Sequence, residues 1–294
     1  MTAAIYTQGG NLEILYLPKP ELEEGDALLR VEAASFCGTD TKILRVEHRK
    51  LLERQRIVLG HEFAGVTEEV RGSTGNLRPG MRVGVAPNLR CGQCPACVRG
   101  LANYYPDYSA FVIETDGAHA EYVRLPAKAI PQGNVVELPE DLALEEASVA
   151  EPLSCVVNAQ AAVGLAVGDK VAGYGCGPMG LLHIILARAA GAQSITAIDP
   201  NPDRLEMARA AGASVVISSD RESVTGRVRD HGGTRRGDHG RASGRSYNRG
   251  LETPVTVRPA LSLRRFNQGQ AKSCIGSQRC ALQKPPRYRN NGWQ

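Results

Sequence analysis

Short runs of strand-forming residues, separated by turn residues, open the chain. Residues 3–6, 12–17 and 27–34 are such runs, the last preceded by Glu24-Gly25-Asp26. Residues 66–70 and 77–85 continue the pattern, the second fed by Pro79-Gly80. Many short strands with turn signals predict a β-rich, barrel-like unit. The period then changes. A helical stretch over 142–148 leads through Glu151-Pro152 into the Ala/Val run 156–163, which reads as a crossover between domains. Strands at 170–174, 194–198 and 214–217 alternate with helices at 181–190 and 204–211, the second capped by Gly212. Such alternation predicts an α/β unit with a doubly wound parallel sheet. The expected domains are 1–155, a partial α/β domain over 156–219, and a tail over 220–294.

After Ile217 the pattern stops. A doubly wound dinucleotide domain needs about six strands, and only three are legible. The nearest later candidate, residues 253–259, is broken by Pro254 and Pro259. Charge changes at the same place. Residues 1–219 hold 19 Lys and Arg against 26 Asp and Glu, a balance of −7, whereas 220–294 hold 16 against 5, a balance of +11. Arg, Gly, Ser and Asn dominate that tail, a composition typical of disorder. Three readings stand: a shifted reading frame, a basic arm for nucleic acid, or an unfamiliar folded end. The frame reading is favoured. With one Trp in the chain, base stacking has little to work with, which counts against nucleic acid. Translating the coding DNA in the other two frames beyond Ser219 separates these readings.

Composition adds two limits. The longest apolar run, near 181–187, is too short to span a bilayer and is interrupted by His183, so no membrane segment is expected. There is no charged-then-apolar leader, and three of the eight cysteines stand as Cys91, Cys94 and Cys97, a metal-type spacing; a cytoplasmic protein is expected.

The chemistry gathers around Gly60-His61-Glu62-Phe63-Ala64-Gly65. Upstream by 24 residues lies Cys37-Gly38-Thr39-Asp40, expected as a turn; downstream lies Glu151. One thiolate, one imidazole and one or two carboxylates suit a tetrahedral zinc that keeps a position open. Gly175-Cys176-Gly177-Pro178-Met179-Gly180 follows a strand and opens a helix, the context a dinucleotide loop needs. Asp199 falls 24 residues after Gly175 at the end of the next strand, where an acid binds the adenosine ribose. Its carboxylate would repel a 2′-phosphate, so NAD is expected over NADP.

With these motifs the sequence resembles the zinc-dependent medium-chain alcohol and polyol dehydrogenases, the sorbitol (L-iditol) and threonine dehydrogenase branches above all, from about residue 3 to about 219. The resemblance implies a GroES-like β-rich catalytic domain and a Rossmann domain, incomplete here after about residue 219. It implies Zn2+ and NAD as cofactors and a small secondary alcohol or polyol as substrate. Cys37, His61, Glu62 and Glu151 would hold catalytic zinc, with Glu62 or Glu151 exchanging for water or substrate. Thr39 would pass the alcohol proton outward, or is an ordinary turn threonine; Lys42 stands where many relatives carry a relay histidine. Asp40 would orient a ligand or simply make a turn. Arg204 would lie along the adenine or on a solvated helix face. His119 reads as an ordinary strand-edge residue.

Cys91, Cys94 and Cys97 look like the family's structural zinc loop, but Tyr105 replaces the fourth thiolate. Either a ligand such as Asp107 completes the site or the loop is metal-free. Relatives are homo-oligomers that associate through the later strands. A chain without those strands is expected to be poorly stable and weakly active or inactive.

Overall fold

The structure is a computed structural model and describes residues 1–7, 11–45, 56–101 and 104–221, with Val224, Arg227 and Val228. The readings made for the tail therefore fall almost wholly outside the described residues. The chain divides into two compact units, Met1–Pro152 and a second beginning at Leu153.

In the first unit, β1 (Thr2–Thr7) pairs antiparallel with β2 (Asn11–Tyr16) and with β4 (Arg56–Val58). A five-stranded antiparallel sheet is built from β3 (Ala27–Ser35), β5 (Glu62–Val70), β6 (Arg82–Val85), β9 (Tyr122–Leu125) and β10 (Val135–Glu137), in the order β10-β6-β5-β3-β9. The short pair β7 (Asn88–Leu89) and β8 (Ser109–Ala110) adds a third sheet. Leu29, Phe63, Val83, Phe111, Val123 and Leu125 form the core of this unit, with Phe63 and Phe111 edge-on at 5.5 Å between ring centroids. Aliphatic burial with a few aromatic rings is what an aromatic-poor sequence can supply.

Two strand pairings position the chemistry. β3 and β5 run antiparallel with Ser35 opposite Glu62, so the end of one strand delivers a hydroxyl to the start of the other. A Cβ at Gly65 would run into the carbonyl oxygen of Arg30 on β3, so glycine is what lets these strands approach. The segment after Cys37 is not a simple turn. It is helix α1 (Gly38–Arg45), started by Asp40, whose carboxylate accepts from the Cys37 N–H at 2.9 Å. An acid in the first turn favours that helix end. The unit also holds the one-turn helix α2 (Pro95–Val98) and α3 (Leu144–Ser148).

Helix α4 (Ala150–Val163) carries the chain from the first unit into the second. There β11 (Lys170–Tyr174), β12 (Ser194–Asp199) and β13 (Val215–Ser218) form a parallel sheet in the order β11-β12-β13. Helices α5 (Pro178–Ala189) and α6 (Pro202–Ala211) pack on it around Ile184, Ala187, Ile195, Ala197, Leu205 and Ala208. His183 is tolerated within apolar α5 because Gln160 of α4 reaches it: the Gln160 amide nitrogen lies 3.3 Å from His183 Nδ1 and donates to the His183 backbone carbonyl at 2.9 Å. Burial lowers the His183 pKa, favouring the neutral ring.

Candidate metal centre and cofactor loop

Cys37 comes from the end of β3, just before α1; His61 and Glu62 come from the start of β5. Their donor atoms all lie within 4.8 Å of one another. His61 is 9% exposed and Glu62 5%, while Cys37 is half-buried. The Ser35 hydroxyl donates to Glu62 Oε2, which fixes that carboxylate from the neighbouring strand.

Asp40 sits behind this cluster, 1% exposed. It accepts from the Cys37 N–H at 2.9 Å and the Gly60 N–H at 3.4 Å. Its oxygens stand 3.7 Å from His61 Nδ1 and 3.7 Å from His119 Nε2. These are ion-pair distances, longer than a hydrogen bond, and both buried ring nitrogens lack a hydrogen-bond partner. Burial alone would lower the His61 pKa; Asp40 and the Cys37 thiol outweigh it and raise it from 6.5 to about 10. Burial likewise opposes charge on Asp40, but the two imidazoles and the Cys37 N–H hold its carboxyl well below the usual carboxylate range. With Nδ1 turned to a carboxylate, the other ring nitrogen is the one available to a metal, the arrangement in which an outer carboxylate orients a ligating imidazole. A half-buried sulfur with buried nitrogen and oxygen donors in one place, two of them faced by further side chains, fits a zinc ion.

His119 is the residue that sequence reasoning undervalued. It is not an ordinary edge residue: its ring stacks on Phe36 at 4.4 Å and faces Asp40. A Cβ at Gly60, whose φ is +94°, would stand 2.7 Å from His119 Nδ1 and 2.8 Å from its backbone nitrogen. The glycine before His61 is therefore required by His119, a dependence between residues 59 positions apart.

The remaining expected residues are placed as follows. Thr39 and Lys42 are exposed on α1. Glu151, half-buried on the first turn of α4, is not one of the three converging donors. Its charge, with burial and Glu114, helps push the Tyr108 phenol up to about 12. Cys91, Cys94 and Cys97 form a second group, again with donor atoms within 4.8 Å of one another, and Asp107 is not a member of it. Tyr105 is half-buried; burial first, then the Cys91 and Asp107 charges, raise its pKa, which favours the protonated phenol.

In the second unit the glycine loop turns between β11 and α5. Gly175 has φ +92°, and its N–H donates to the Ile198 carbonyl at 2.8 Å. Gly177 is the N-cap of α5, with no side chain bonded to the free N–H groups and Pro178 in the first turn. A Cβ on Gly177 would meet nothing within 4 Å, so the space over the helix N-terminus is open. Open, unpartnered N–H groups at the end of a 12-residue helix suit a pyrophosphate. Met179 is half-buried and Gly180 buried in that first turn. Asp199, 3% exposed, ends β12; Oδ2 accepts from the Cys176 N–H and Oδ1 from the Asn201 N–H, both at 2.8 Å. The exposed Arg204 holds a guanidinium nitrogen 3.9 Å from Asp199 Oδ2. Loop, strand end and next helix are thus tied at one carboxylate.

An antiparallel β unit with a mixed-donor metal cluster, followed by parallel strands and a glycine loop, has the architecture of a metal- and dinucleotide-binding dehydrogenase. The comparisons agree. The family profile described as alcohol dehydrogenase GroES-like domain matches residues 23–140, and that described as zinc-binding dehydrogenase matches 178–239. L-threonine 3-dehydrogenase of Bacillus velezensis is 36% identical over 208 residues, 70% of this chain and 58% of that protein. Sorbitol dehydrogenase of Bacillus subtilis is 33% identical over 222 residues, 74% of this chain and 61% of that protein. The structure of alcohol dehydrogenase TADH from Thermus sp. ATN1 superposes with a TM-score of 0.70 at 32% identity, covering 79% of this chain and 67% of that one. The chain belongs to the zinc-dependent medium-chain dehydrogenases. It spans about three fifths of the length of the curated relatives it matches. The second profile runs to residue 239, so the likeness extends past residue 219, where the sequence reading ended it. No helix among the described residues is long and apolar enough to cross a membrane.

Proposed function

We propose that this chain is built to oxidise a secondary alcohol or polyol, passing a hydride to NAD, with zinc held by Cys37, His61 and Glu62. The observation that carries this reading is the convergence of those three chemically different donors on one place, two of them buried and the sulfur half-buried. Three protein donors leave the open position that a catalytic zinc uses, so Glu151 is not needed to complete the set. Zinc, when bound, supplies Lewis-acid chemistry that eases loss of the alcohol proton.

The chain's own residues do the rest. Asp40 orients His61, and Ser35 orients Glu62. Exposed Thr39 lies two positions beyond Cys37, where its hydroxyl would hand the proton towards water. The N-terminus of α5 would take the cofactor pyrophosphate. Asp199 would accept the adenosine ribose and disfavour a 2′-phosphate, with Arg204 beside the adenine. In this reading residues 1–155 are the catalytic domain and 156–219 part of the NAD-binding domain. The free thiols of Cys37, Cys91, Cys94 and Cys97 suit a cytoplasmic, reducing location. The oxygen-rich donor set suits a chelating diol better than a simple alcohol.

The test is NADH formation by the zinc-loaded full chain with sorbitol, L-threonine and a vicinal diol, beside ethanol. Turnover of the polyfunctional alcohols, abolished in Cys37→Ala, is the expected result. Zinc bound at full occupancy with no NAD reduction by any of them would sink the proposal.

A further inference from the structure

We propose that Cys91, Cys94 and Cys97 form a three-thiolate site for a soft ion that accepts three-coordination, of the Cu(I) class, rather than a closed four-coordinate zinc site. The three sulfurs already face one another: any two lie within 4.8 Å, and Cys91 and Cys97 are 3.9 Å apart. Sulfurs surrounding one ion at about 2.3 Å in a plane stand about 4 Å apart. The Cys94 N–H donates to Cys91 Sγ at 3.3 Å and the Cys97 N–H to Cys94 Sγ at 3.5 Å, which orients two of the sulfurs. The loop is tied to its unit by Gln132, whose side-chain amide donates to the Cys91 backbone carbonyl at 3.0 Å while the Gln132 backbone carbonyl accepts from the Arg90 guanidinium at 2.9 Å. The site is therefore shaped before any ion arrives, and its half-buried sulfurs are reachable.

What it lacks is a fourth donor. Among the described residues no His, Asp, Glu or further Cys joins the group. Tyr105 offers a neutral phenol, a poor replacement for a thiolate. Structural zinc is almost always closed by four ligands. Thiolates without nitrogen or oxygen partners select soft ions, Cu(I) among them. Three sulfurs and no fourth ligand thus favour the ion that is content with three. This inference does not depend on the dehydrogenase reading.

The experiment uses the full chain carrying Cys37→Ala, which disables the other thiol-bearing cluster, reduced and stripped of metal. It is titrated with Cu(I) in a competing chelator, and separately with zinc and with Co(II) as a spectroscopic stand-in for zinc. Expected are one tightly held Cu(I) with sulfur-to-copper charge transfer, protection of Cys91, Cys94 and Cys97 from alkylation by peptide mapping, and loss of both in Cys94→Ser. Tyr105→Cys should give a four-thiolate Co(II) spectrum and tighten zinc binding. Peptide mapping reads the unmutated loop, so a Cys94→Ser chain that fails to fold does not remove the test. Failure of Cu(I) to protect the three cysteines would overturn the proposal, as would zinc binding to the Tyr105 loop as tightly as to Tyr105→Cys.

Discussion

In the Cys37–His61–Glu62 cluster, side chains stand behind two of the donors: Asp40 faces His61 and Ser35 holds Glu62. At Cys91–Cys94–Cys97 the supports are backbone N–H groups of the same loop, within a stretch of seven residues. In one cluster His61 and Glu62 are buried and Cys37 is half-buried at the junction of β3, α1 and β5; in the other all three sulfurs are half-buried on a loop. The difference is one of origin. A short Cys-x-x-Cys-x-x-Cys run brings its own sulfurs together by local geometry. The mixed cluster exists only after two strands and a helix have met, and its supporting residues are as distant in sequence as its donors. A site assembled that way can tune each donor separately, which catalysis requires.

The largest effect expected from breaking this comparison is in metal content. Cys37→Ala should lose the zinc of the mixed cluster, and activity with it, while Cys94→Ala should leave that zinc in place; elemental analysis of both variants beside the parent counts the two sites. Equal loss in both would mean the clusters are not independent.

Asp40→Asn should weaken zinc binding about 10- to 100-fold, the usual scale for an outer partner of a ligand, measured by competition with a chelator. Asn keeps the volume and one acceptor but not the charge, so an unchanged affinity would deny Asp40 its orienting role.

pH sharpens the same point. In the zinc-free protein the folded-state pKa of His61 is raised from 6.5 to about 10. Its contribution to stability is then fully present below pH 6.5 and lost as pH rises through about 10. Asp40 acts oppositely: its depressed pKa contributes stability above its ordinary 3.8 that is lost as pH falls through the folded value. Melting temperatures of the zinc-free protein should therefore decline from pH 6.5 towards 10, with Asp40→Asn flattening the slope. Zinc must displace the His61 proton, so its affinity should climb over the same range, by about tenfold per pH unit for one displaced proton.

The smallest effect concerns the cofactor. Asp199→Asn should reduce NADH affinity by about tenfold, the value of a hydrogen bond to a charged group, and narrow the preference over NADPH. Fluorescence titration with both nucleotides reads the change; an unaltered ratio would remove the ribose role.

Much of this was legible in the residues. The first three strand runs, the alternation after 170 and the strand–glycine–helix context of Gly175–Gly180 each follow from local chemistry, and the structure bears them out; the run 66–70 begins earlier, at Glu62, and only Arg82–Val85 of 77–85 is strand. Local signals failed where a residue's surroundings come from far along the chain. Cys37-Gly38-Thr39-Asp40 read as a turn because glycine marks turns, yet Asp40 starts a helix. His119 read as an edge residue because nothing near it in sequence announces Asp40 or Phe36. Glu151 reads as a donor from the family resemblance and from its neighbourhood, and it is not among the three donors that lie within 4.8 Å of one another.

The sequence by itself determined the kinds of donor, the period of each element and the glycines that permit close approach, because these depend on side-chain chemistry and on neighbours a few residues away. Only the tertiary structure decided which donors share a space, which carboxylate stands behind which imidazole, and that no further His, Asp, Glu or Cys among the described residues joins the three sulfurs. Antiparallel register sets Ser35 against Glu62, and the return of residues 116–119 across 58–60 sets His119 against Asp40. Those meetings are fixed by packing between distant segments, which no window of the chain contains.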